Sequence, residues 1–118
     1  MIKTINDLEV YVQAYNLAMD IFDVTKKFPK EEKYSLTDQV RRSSRSVAVN
    51  ISEGWGRRTY EQLFKKQLID SLGSLEETKT WLNFAKDCGY IRNEVFDSFY
   101  EKSDNLGSKI YRLHENWK

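Results

Sequence analysis

The chain has 118 residues, a formal net charge of +1 and 40% apolar residues, a composition that suits one soluble domain with its own core. Cys88 is the single cysteine, which excludes an internal disulfide and a cysteine metal cluster and leads us to expect a reducing, cytoplasmic setting. No stretch approaches the ~20 apolar residues of a membrane helix, so we expect neither a membrane span nor a signal peptide.

Proline and glycine divide the chain into four helical segments. Pro29, the pair Gly54 and Gly56, and Gly89 lie where helices are expected to end. Gly73 and Gly107 instead fall inside strong helical patterns, and both are predicted to be close-packing positions. The predicted helices span about residues 7–28, 35–55, 59–88 and 93–116 of a single domain covering 1–118.

The first predicted helix starts with Asp7 as its N-cap and ends at Phe28, just before the proline. It carries apolar stripes on two nearly opposite sides, and a helix of a monomeric bundle needs only one. The second stripe therefore indicates self-association. The stripes are Leu8, Val12, Tyr15, Met19 and Phe22, and Val10, Ala14, Leu17, Ile21 and Val24.

The second predicted helix places Leu36, Val40, Val47 and Ile51 toward the core, and Gly54-Trp55-Gly56 is predicted to reverse the chain. Charge is concentrated in the same region. Between residues 39 and 66 seven Lys/Arg side chains face only two acidic ones, so the remainder of this nearly neutral chain is acidic. Such asymmetry favours an anionic partner.

The third and fourth predicted helices complete an all-α pattern without period-2 stretches. The third has a main apolar stripe and a second apolar stripe that is interrupted by Asp70 and Glu77. As in the first helix, two stripes indicate two packing partners. The fourth, between a C-cap at Gly89 and an N-cap at Asn93, has one buried face. Short connections favour an antiparallel up-down-up-down four-helix bundle. The stripes are Tyr60, Phe64, Leu68, Leu72, Leu75, Leu82 and Ala85; Leu63, Trp81, Phe84 and Cys88; and Val95, Phe99, Leu106, Ile110, Leu113 and Trp117.

Catalysis has little support in the residues. His114 is the only histidine, and the spacing of metal-binding or nucleophile motifs is absent, so we predict no enzyme activity, no metal and no cofactor. The acids Glu53, Asp70, Glu76 and Glu77 could surround a divalent ion. Pairing of Asp70 and Glu77 with Arg42 or Arg45 across an interface explains them better.

The basic stretch has two interpretations, which stay open at this point. In the first, arginines beside Trp55 and Tyr60 bind RNA or another single strand, because guanidinium groups fork onto phosphates and aromatic rings stack on bases. In the second, the arginines form ion pairs between subunits. The nucleic-acid candidates are Arg57, Arg58, Lys65, Lys66, Arg41 and Arg45, and the structural or subunit-interface candidates are Arg42, Ser46, Asn50, Glu53, Asp70, Glu77 and Trp81.

Two long runs of residues resemble a known family. The runs FPKEEKYSLTDQVRRSSRSVAVNISEGWGRR and GSLEETKTWLNFAKDCGYI are similar to the bacterial four-helix-bundle proteins encoded by intervening sequences of 23S ribosomal RNA genes. The resemblance is strong from about Asp7 to Ile91 and looser in the last helix. Its most specific positions are Gln39, Arg42, Ser46, Asn50, Ile51, Glu53, Gly54 and Arg58, then Gly73, Ser74, Leu75 and Glu77.

The resemblance implies an antiparallel bundle that assembles into a homopentameric ring and has an unsettled role. A related bundle is an accessory subunit of diversity-generating retroelements and binds a reverse transcriptase and nucleic acid through a basic surface, an analogy of fold alone. Two departures are mild. Val47-Ala48-Val49 replaces a frequent Pro-Ala pair, and Asp70 lies in a stretch that is commonly apolar.

Overall fold

A computed structural model of the protein describes residues 2–117 and contains four α-helices. They are α1 (Glu9–Thr25), α2 (Leu36–Gly56), α3 (Glu61–Asp87) and α4 (Asn93–Asn116), and short 3-10 turns at Ile5–Asp7 and Lys30–Glu32 precede α1 and α2. Residues 2–117 contain no β-strand, which confirms the all-α class. None of the helices in this range is long and apolar enough to cross a membrane.

One apolar core is shared by all four helices. α2 packs between α1 and α3, and α4 packs against α3 and α1. The core residues repeat every three or four positions, as expected when each helix buries one stripe. They include Val10, Ala14, Leu17 and Ile21 of α1, Val40, Val47 and Ile51 of α2, Phe64, Leu68, Leu75 and Leu82 of α3, and Phe96, Phe99, Leu106 and Ile110 of α4.

The start and end of α1 differ from the prediction. Asp7 is not its N-cap: the carboxylate accepts hydrogen bonds from the backbone N–H groups of Lys3 at 2.9 Å and Thr4 at 3.0 Å, which lower the pKa of Asp7 and close the preceding turn. The helix also ends at Thr25, three residues early, because the chain turns there to bury Phe28. Of the two stripes, only the one containing Val10 and Ile21 is fully committed to the core.

The Gly-Trp-Gly sequence is helical, which corrects the predicted turn. α2 continues through Gly56, and the chain reverses over residues 57–60 instead. Gly54 has a packing role, since a Cβ atom there would lie 2.8 Å from Cβ of Gln67 and 3.0 Å from Cδ1 of Phe64. The lack of a side chain at this position lets α2 and α3 approach closely.

Gly73 and Gly107, both predicted to be close-packing positions, differ in the space around them. Gly107 of α4 is a close-packing position, as predicted, with Cδ2 of Leu75 3.4 Å from where a Cβ would stand. Gly73 of α3 is not, because nothing lies within 4 Å of its Cβ position.

The prediction that Tyr60 is a core residue is wrong. Tyr60 precedes α3 in an extended conformation and is 68% exposed.

The connection between α3 and α4 follows the prediction at one end only. Gly89 has φ +80° and ends α3, with the Tyr90 N–H donating to the Ala85 carbonyl at 2.8 Å. Asn93, however, is the first residue of α4 and no cap; Arg92 precedes the helix, directly after the buried Ile91 that anchors the loop.

A hydrogen-bonded contact joins the loop before α2 to the loop after α3. Glu32 accepts hydrogen bonds from Ser35 Oγ at 2.6 Å and Tyr90 Oη at 2.8 Å, and the rings of Phe28 and Tyr90 lie 5.5 Å apart. The donated hydrogen bonds of Ser35 and Tyr90 lower the pKa of Glu32, and the same bond to Glu32 raises the pKa of Tyr90 to about 12.

Candidate nucleic-acid interface

The side chains of α2 lie on three faces of the helix. Val40, Val47 and Ile51 enter the core, a row of small polar residues faces α3, and arginines point away from both. The exposed face is unusual because Val49 lies in it with 52% of its surface accessible. The arginine-bearing surface of α2 is therefore partly apolar.

Arg41 holds the end of α1. Its Nε donates to Thr25 Oγ1 at 2.8 Å, its Nη2 lies 3.5 Å from the Phe22 carbonyl, and its guanidinium stacks 4.6 Å from the centre of the Phe22 ring. A cation at a helix C-terminus is favoured by the helix dipole. Arg41, predicted to contact nucleic acid, thus has a structural role that occupies part of its donor set.

Arg45 and Lys26 approach the same ring. The Arg45 guanidinium lies 5.7 Å and the Lys26 ammonium 4.9 Å from the centre of Phe22. Only Asp23, 3.4 Å from Lys26, offsets this positive charge. Phe22 therefore organises a cation cluster on the side of the molecule where α1 meets α2.

Arg42 is exposed and forms no ion pair or hydrogen bond within residues 2–117. Its predicted acidic partners are engaged elsewhere on the same chain: Asp70 pairs with Lys66 at 2.9 Å, and Glu77 accepts a hydrogen bond from Trp81 Nε1 at 3.0 Å. Arg42 therefore keeps its charge without a carboxylate partner in the part of the chain that the structure describes.

The turn after α2 carries two more arginines. Arg57 donates to Gln67 Oε1 at 3.1 Å, and Arg58 donates to the Trp55 carbonyl at 2.9 Å while its guanidinium lies 3.9 Å from the centre of the Trp55 ring. Arg58 thus covers one face of Trp55, which leaves Tyr60 as the exposed ring of this turn. The Trp55 side chain also meets Trp117 at 6.4 Å, tying the turn to the end of α4.

The lysines of α3 differ from these arginines. Lys65 pairs with Glu61 at 3.4 Å and Lys66 with Asp70 at 2.9 Å, so both predicted nucleic-acid contacts are neutralised on their own helix. The contrast extends to the whole described chain, residues 2–117, in which each ion pair uses a lysine or His114 and none uses an arginine. The chain has seven arginines, and none of them has a carboxylate partner in the part that the structure describes.

The predicted structural residues Ser46 and Asn50 belong to a polar network between α2 and α3. Ser46 and Ser74 hydroxyls are 2.8 Å apart, Asn50 Nδ2 donates to the Ser46 carbonyl at 2.9 Å, and Gln67 Nε2 donates to Asn50 Oδ1 at 2.9 Å. Arg57 extends the network through Gln67. Sequence reasoning missed Gln67, whose only signal is that a polar residue interrupts the buried side of α3, and it singled out Ser74 only through the family resemblance.

Apolar surface remains exposed on two sides of the bundle. The outer face of α3 presents Ile69 and Phe84 on either side of the open Gly73, close in the helix to Asp70 and Glu77. A groove of about 400 Å³ lies between α1 and α2, lined by Tyr11, Tyr15, Ala18, Met19, Arg45, Ala48, Val49, Ser52 and Glu53. Glu53 lies in this groove with Arg45 and forms no ion pair within residues 2–117.

Across residues 2–117 the His, Cys, Asp and Glu side chains form no group of three that could hold a metal ion. His114 lies 3.3 Å from Glu115 and stacks near Tyr111, with ring centres 6.3 Å apart. What the surface offers is positive charge, apolar area and hydrogen-bond donors.

Known proteins resemble the chain in sequence and fold. Residues 6–112 match the family described as 23S rRNA-intervening sequence protein. A crystal structure of a protein with unknown function from the S23 ribosomal protein family of Bacteroides thetaiotaomicron VPI-5482 is similar in fold, with a TM-score of 0.84, 23% identity, and coverage of 93% of this chain and 98% of that chain. No curated protein matches the chain. Since the family match spans most of its length and confirms the resemblance seen in the residues, this protein belongs to the 23S rRNA-intervening sequence protein family.

Proposed function

We propose that this protein is a non-enzymatic, self-associating helical bundle that binds RNA phosphates through arginines of α2 and of the turn that follows. The observation that carries the proposal is that lysines and arginines of the basic stretch differ in whether they form ion pairs. Within residues 2–117, Lys65 and Lys66 of the basic stretch pair with carboxylates of their own helix, while none of the arginines does. Guanidinium groups fit phosphate oxygens bidentately, so free arginines are the better phosphate ligands.

The free arginines form two groups on one helix and its exit. Arg42 and Arg45 lie on the exposed face of α2, Arg45 within the cation cluster around Phe22. Arg57 and Arg58 follow Gly56 at the end of the same helix. The rise of about 1.5 Å per residue separates the two groups by roughly 20 Å, a distance that a short RNA segment spans. RNA also has the unpaired bases that Tyr60 could stack upon.

An up-down-up-down course of the helices is part of the proposal. It is supported by contacts at opposite ends of the bundle. Trp117 at the end of α4 meets Trp55 near the end of α2 and lies 4.6 Å from Phe64 near the start of α3. Tyr90, after α3, meets the loop before α2 through Glu32.

RNA binding is tested by fluorescence anisotropy with a labelled single-stranded 24-nucleotide RNA of mixed sequence. The R45Q/R58Q variant is expected to bind about ten-fold more weakly at 50 mM salt. Its dependence on salt should also weaken, because each lost phosphate contact lowers the slope of log K against log salt by about 0.7 for a single strand.

The matched control removes two lysines that already have carboxylate partners. K66Q/K102Q loses the same charge from the exposed ends of the ion pairs with Asp70 and Asp20, at 2.9 Å and 3.6 Å. It should change RNA affinity by less than about two-fold. Equal losses in both variants would mean that only net charge matters, and no binding by the unmodified protein at 50 mM salt would overturn the proposal.

A second candidate function is that of a structural module whose arginines pair across subunits of a homopentameric ring. The specific observation in its favour is the open Gly73 between exposed Ile69 and Phe84, since a glycine in the middle of a long helix costs about 1 kcal/mol unless something approaches closely. The α1–α2 groove, with Arg45 at its rim, complements this acidic and apolar face.

Gly73→Gln separates the two candidates. Within one chain nothing obstructs the new side chain, so the free energy of unfolding should rise by up to about 1 kcal/mol. If the α3 face is covered in a ring, the same variant should lower the mass measured by light scattering while RNA binding per chain persists. An unchanged mass, or a monomeric unmodified protein, excludes this interface. Light scattering of Arg42→Glu, with Arg112→Glu as its control, tests whether Arg42 takes part in it.

A further inference from the structure

The contact between α1 and α4 is open along part of its length. A groove of about 450 Å³ lies between them, lined by Gln13, Asn16, Leu17, Asp20, Ser98, Glu101, Lys102, Asn105 and Leu106. It continues past Asp20, Ser98 and Lys102 into a second cavity of about 400 Å³ that reaches Glu94, Val95 and Phe99. The two cavities form one channel, which we call the α1–α4 groove.

Two ion pairs cross this groove. Lys109 lies 2.7 Å from Glu9, and Lys102 lies 3.6 Å from Asp20. Between them the helices are not joined by any hydrogen bond of Gln13 or Asn16, the side chains of α1 that face the gap. The two helices are therefore tied together at one point within the groove, Asp20 with Lys102, and at one point beyond it, Glu9 with Lys109.

The groove is acidic along its rim and apolar along its floor. Asp20, Glu94 and Glu101 face a single lysine, Lys102, and neither Glu94 nor Glu101 forms an ion pair within residues 2–117. The floor consists of Leu17, Leu106, Phe99 and Val95. Such a surface repels phosphate and attracts a chain with basic and apolar side chains.

One buried atom also lacks a partner here. Oε1 of Gln13 is inaccessible to solvent and accepts no hydrogen bond from residues 2–117. A buried carbonyl acceptor without a donor costs about 1–3 kcal/mol. Because this oxygen has no accessible surface, an ammonium or guanidinium group in the groove would reach it only after the Gln13 side chain turns outward.

We propose that the α1–α4 groove binds a basic amphipathic helix of another protein. Its apolar side chains would rest on the half-buried Val95 and on the small exposed parts of Leu17 and Phe99. Its lysine or arginine side chains would reach Glu94 and Glu101. Glu94 and Asn105 stand eleven positions apart on α4, or roughly 16 Å at the helical rise, which a segment of about three turns covers. This surface is distinct from the arginines proposed to bind RNA and does not depend on them.

A synthetic peptide tests the groove. The probe is a fluorescein-labelled 14-residue peptide of leucine and lysine with all lysines on one helical face, titrated with the full-length protein by anisotropy at 50 mM salt. E94K/E101K should bind it at least ten-fold more weakly. The control D87K/D97K, which reverses two exposed carboxylates outside the groove that also lack ion pairs, should stay within two-fold of the unmodified protein.

Further outcomes decide between occupants. A leucine–glutamate peptide and hexalysine should bind at least ten-fold more weakly than the probe, because the groove needs both apolar and positive groups. Equal binding of hexalysine, or equal losses in the control, would overturn the proposal. A fall in the mass of the free protein on E94K/E101K substitution would also overturn it, since the occupant would then be a second copy. If E94K/E101K fails to fold by circular dichroism, E101Q takes its place, with an expected loss of about three-fold.

Discussion

Two contacts between neighbouring helices in this protein are built in contrasting ways. Along α2 and α3, a glycine and small polar side chains bring the helices together, and Ser46, Asn50 and Gln67 satisfy one another by hydrogen bonds. Along α1 and α4, ion pairs at two points leave an amide-lined groove with an unpartnered carbonyl at Gln13. The first contact specifies the fold, whereas the second leaves a surface on which another molecule can dock.

The largest expected effect comes from filling the close approach at Gly54. In Gly54→Val, the Cβ atom would meet Cβ of Gln67 at 2.8 Å, an atom next to the backbone of α3 that cannot rotate away. Overpacking of this kind costs about 3 kcal/mol. Urea unfolding followed by circular dichroism measures the loss.

Gly56→Val is the matched control at the end of the same helix. Nothing lies within 4 Å of its Cβ position, so the free energy of unfolding should change by no more than about 0.5 kcal/mol. If both variants lose the same stability, the cost would reflect valine in a helix, and the close approach of α2 and α3 would not be what Gly54 provides.

A smaller loss is expected when the polar network is cut at Asn50. Asn50→Ala leaves Nε2 of Gln67 without its acceptor at 2.9 Å, which should cost about 1–2 kcal/mol. Asn16→Ala, in the α1–α4 groove, is the counterpart and should change the free energy of unfolding by less than about 0.5 kcal/mol. Similar losses at both positions would remove the contrast between the two contacts.

Local patterns in the residues account for much of the fold. The three-to-four spacing of Val40, Val47 and Ile51 predicts a buried face because a helix returns to the same side at that interval. Gly89 ends a helix because its backbone adopts φ +80°, which other residues avoid. Such features depend on a few neighbouring residues, and they could be predicted correctly.

Features that depend on distant neighbours could not be predicted in this way. The two stripes of α1 look alike in sequence, and only packing against α2 and α4 buries Ile21 while Tyr15 stays 52% exposed. Gly54 has the close-packing role that was expected of Gly73, whereas Gly73 lies open inside α3, because close approach depends on the facing helix. The same holds for the candidate site. The concentration of charge in the sequence indicates its arginines, whereas the ion pairs of Lys65 and Lys66 are seen only in the structure of the helix.

A modest gain is expected when the unpartnered carbonyl of the α1–α4 groove is removed. Gln13→Met keeps the length of the side chain and replaces the buried acceptor with an apolar group, so the free energy of unfolding should rise by about 0.5–1 kcal/mol. Thermal unfolding checks this. A loss of more than about 1 kcal/mol would mean that Gln13 is satisfied within the free protein, and the α1–α4 groove would then lack its unpaired acceptor.

The smallest effect concerns the contact between Glu32 and Tyr90, which joins loops away from both helix contacts. Because hydrogen bonds lower the pKa of Glu32 below its ordinary value of 4.5, its contribution is present above that pH and is lost as pH falls through the lowered pKa. Tyr90, with its pKa raised to about 12 by Glu32, contributes fully below pH 10.0 and loses that contribution as pH rises toward 12. The free energy of unfolding of the unmodified protein, measured with urea, should therefore exceed that of Tyr90→Phe by a constant amount between about pH 5 and pH 10. The difference should shrink on either side. A difference that does not vary with pH would show that Tyr90 acts through its ring against Phe28, 5.5 Å away, and that its hydroxyl contributes nothing.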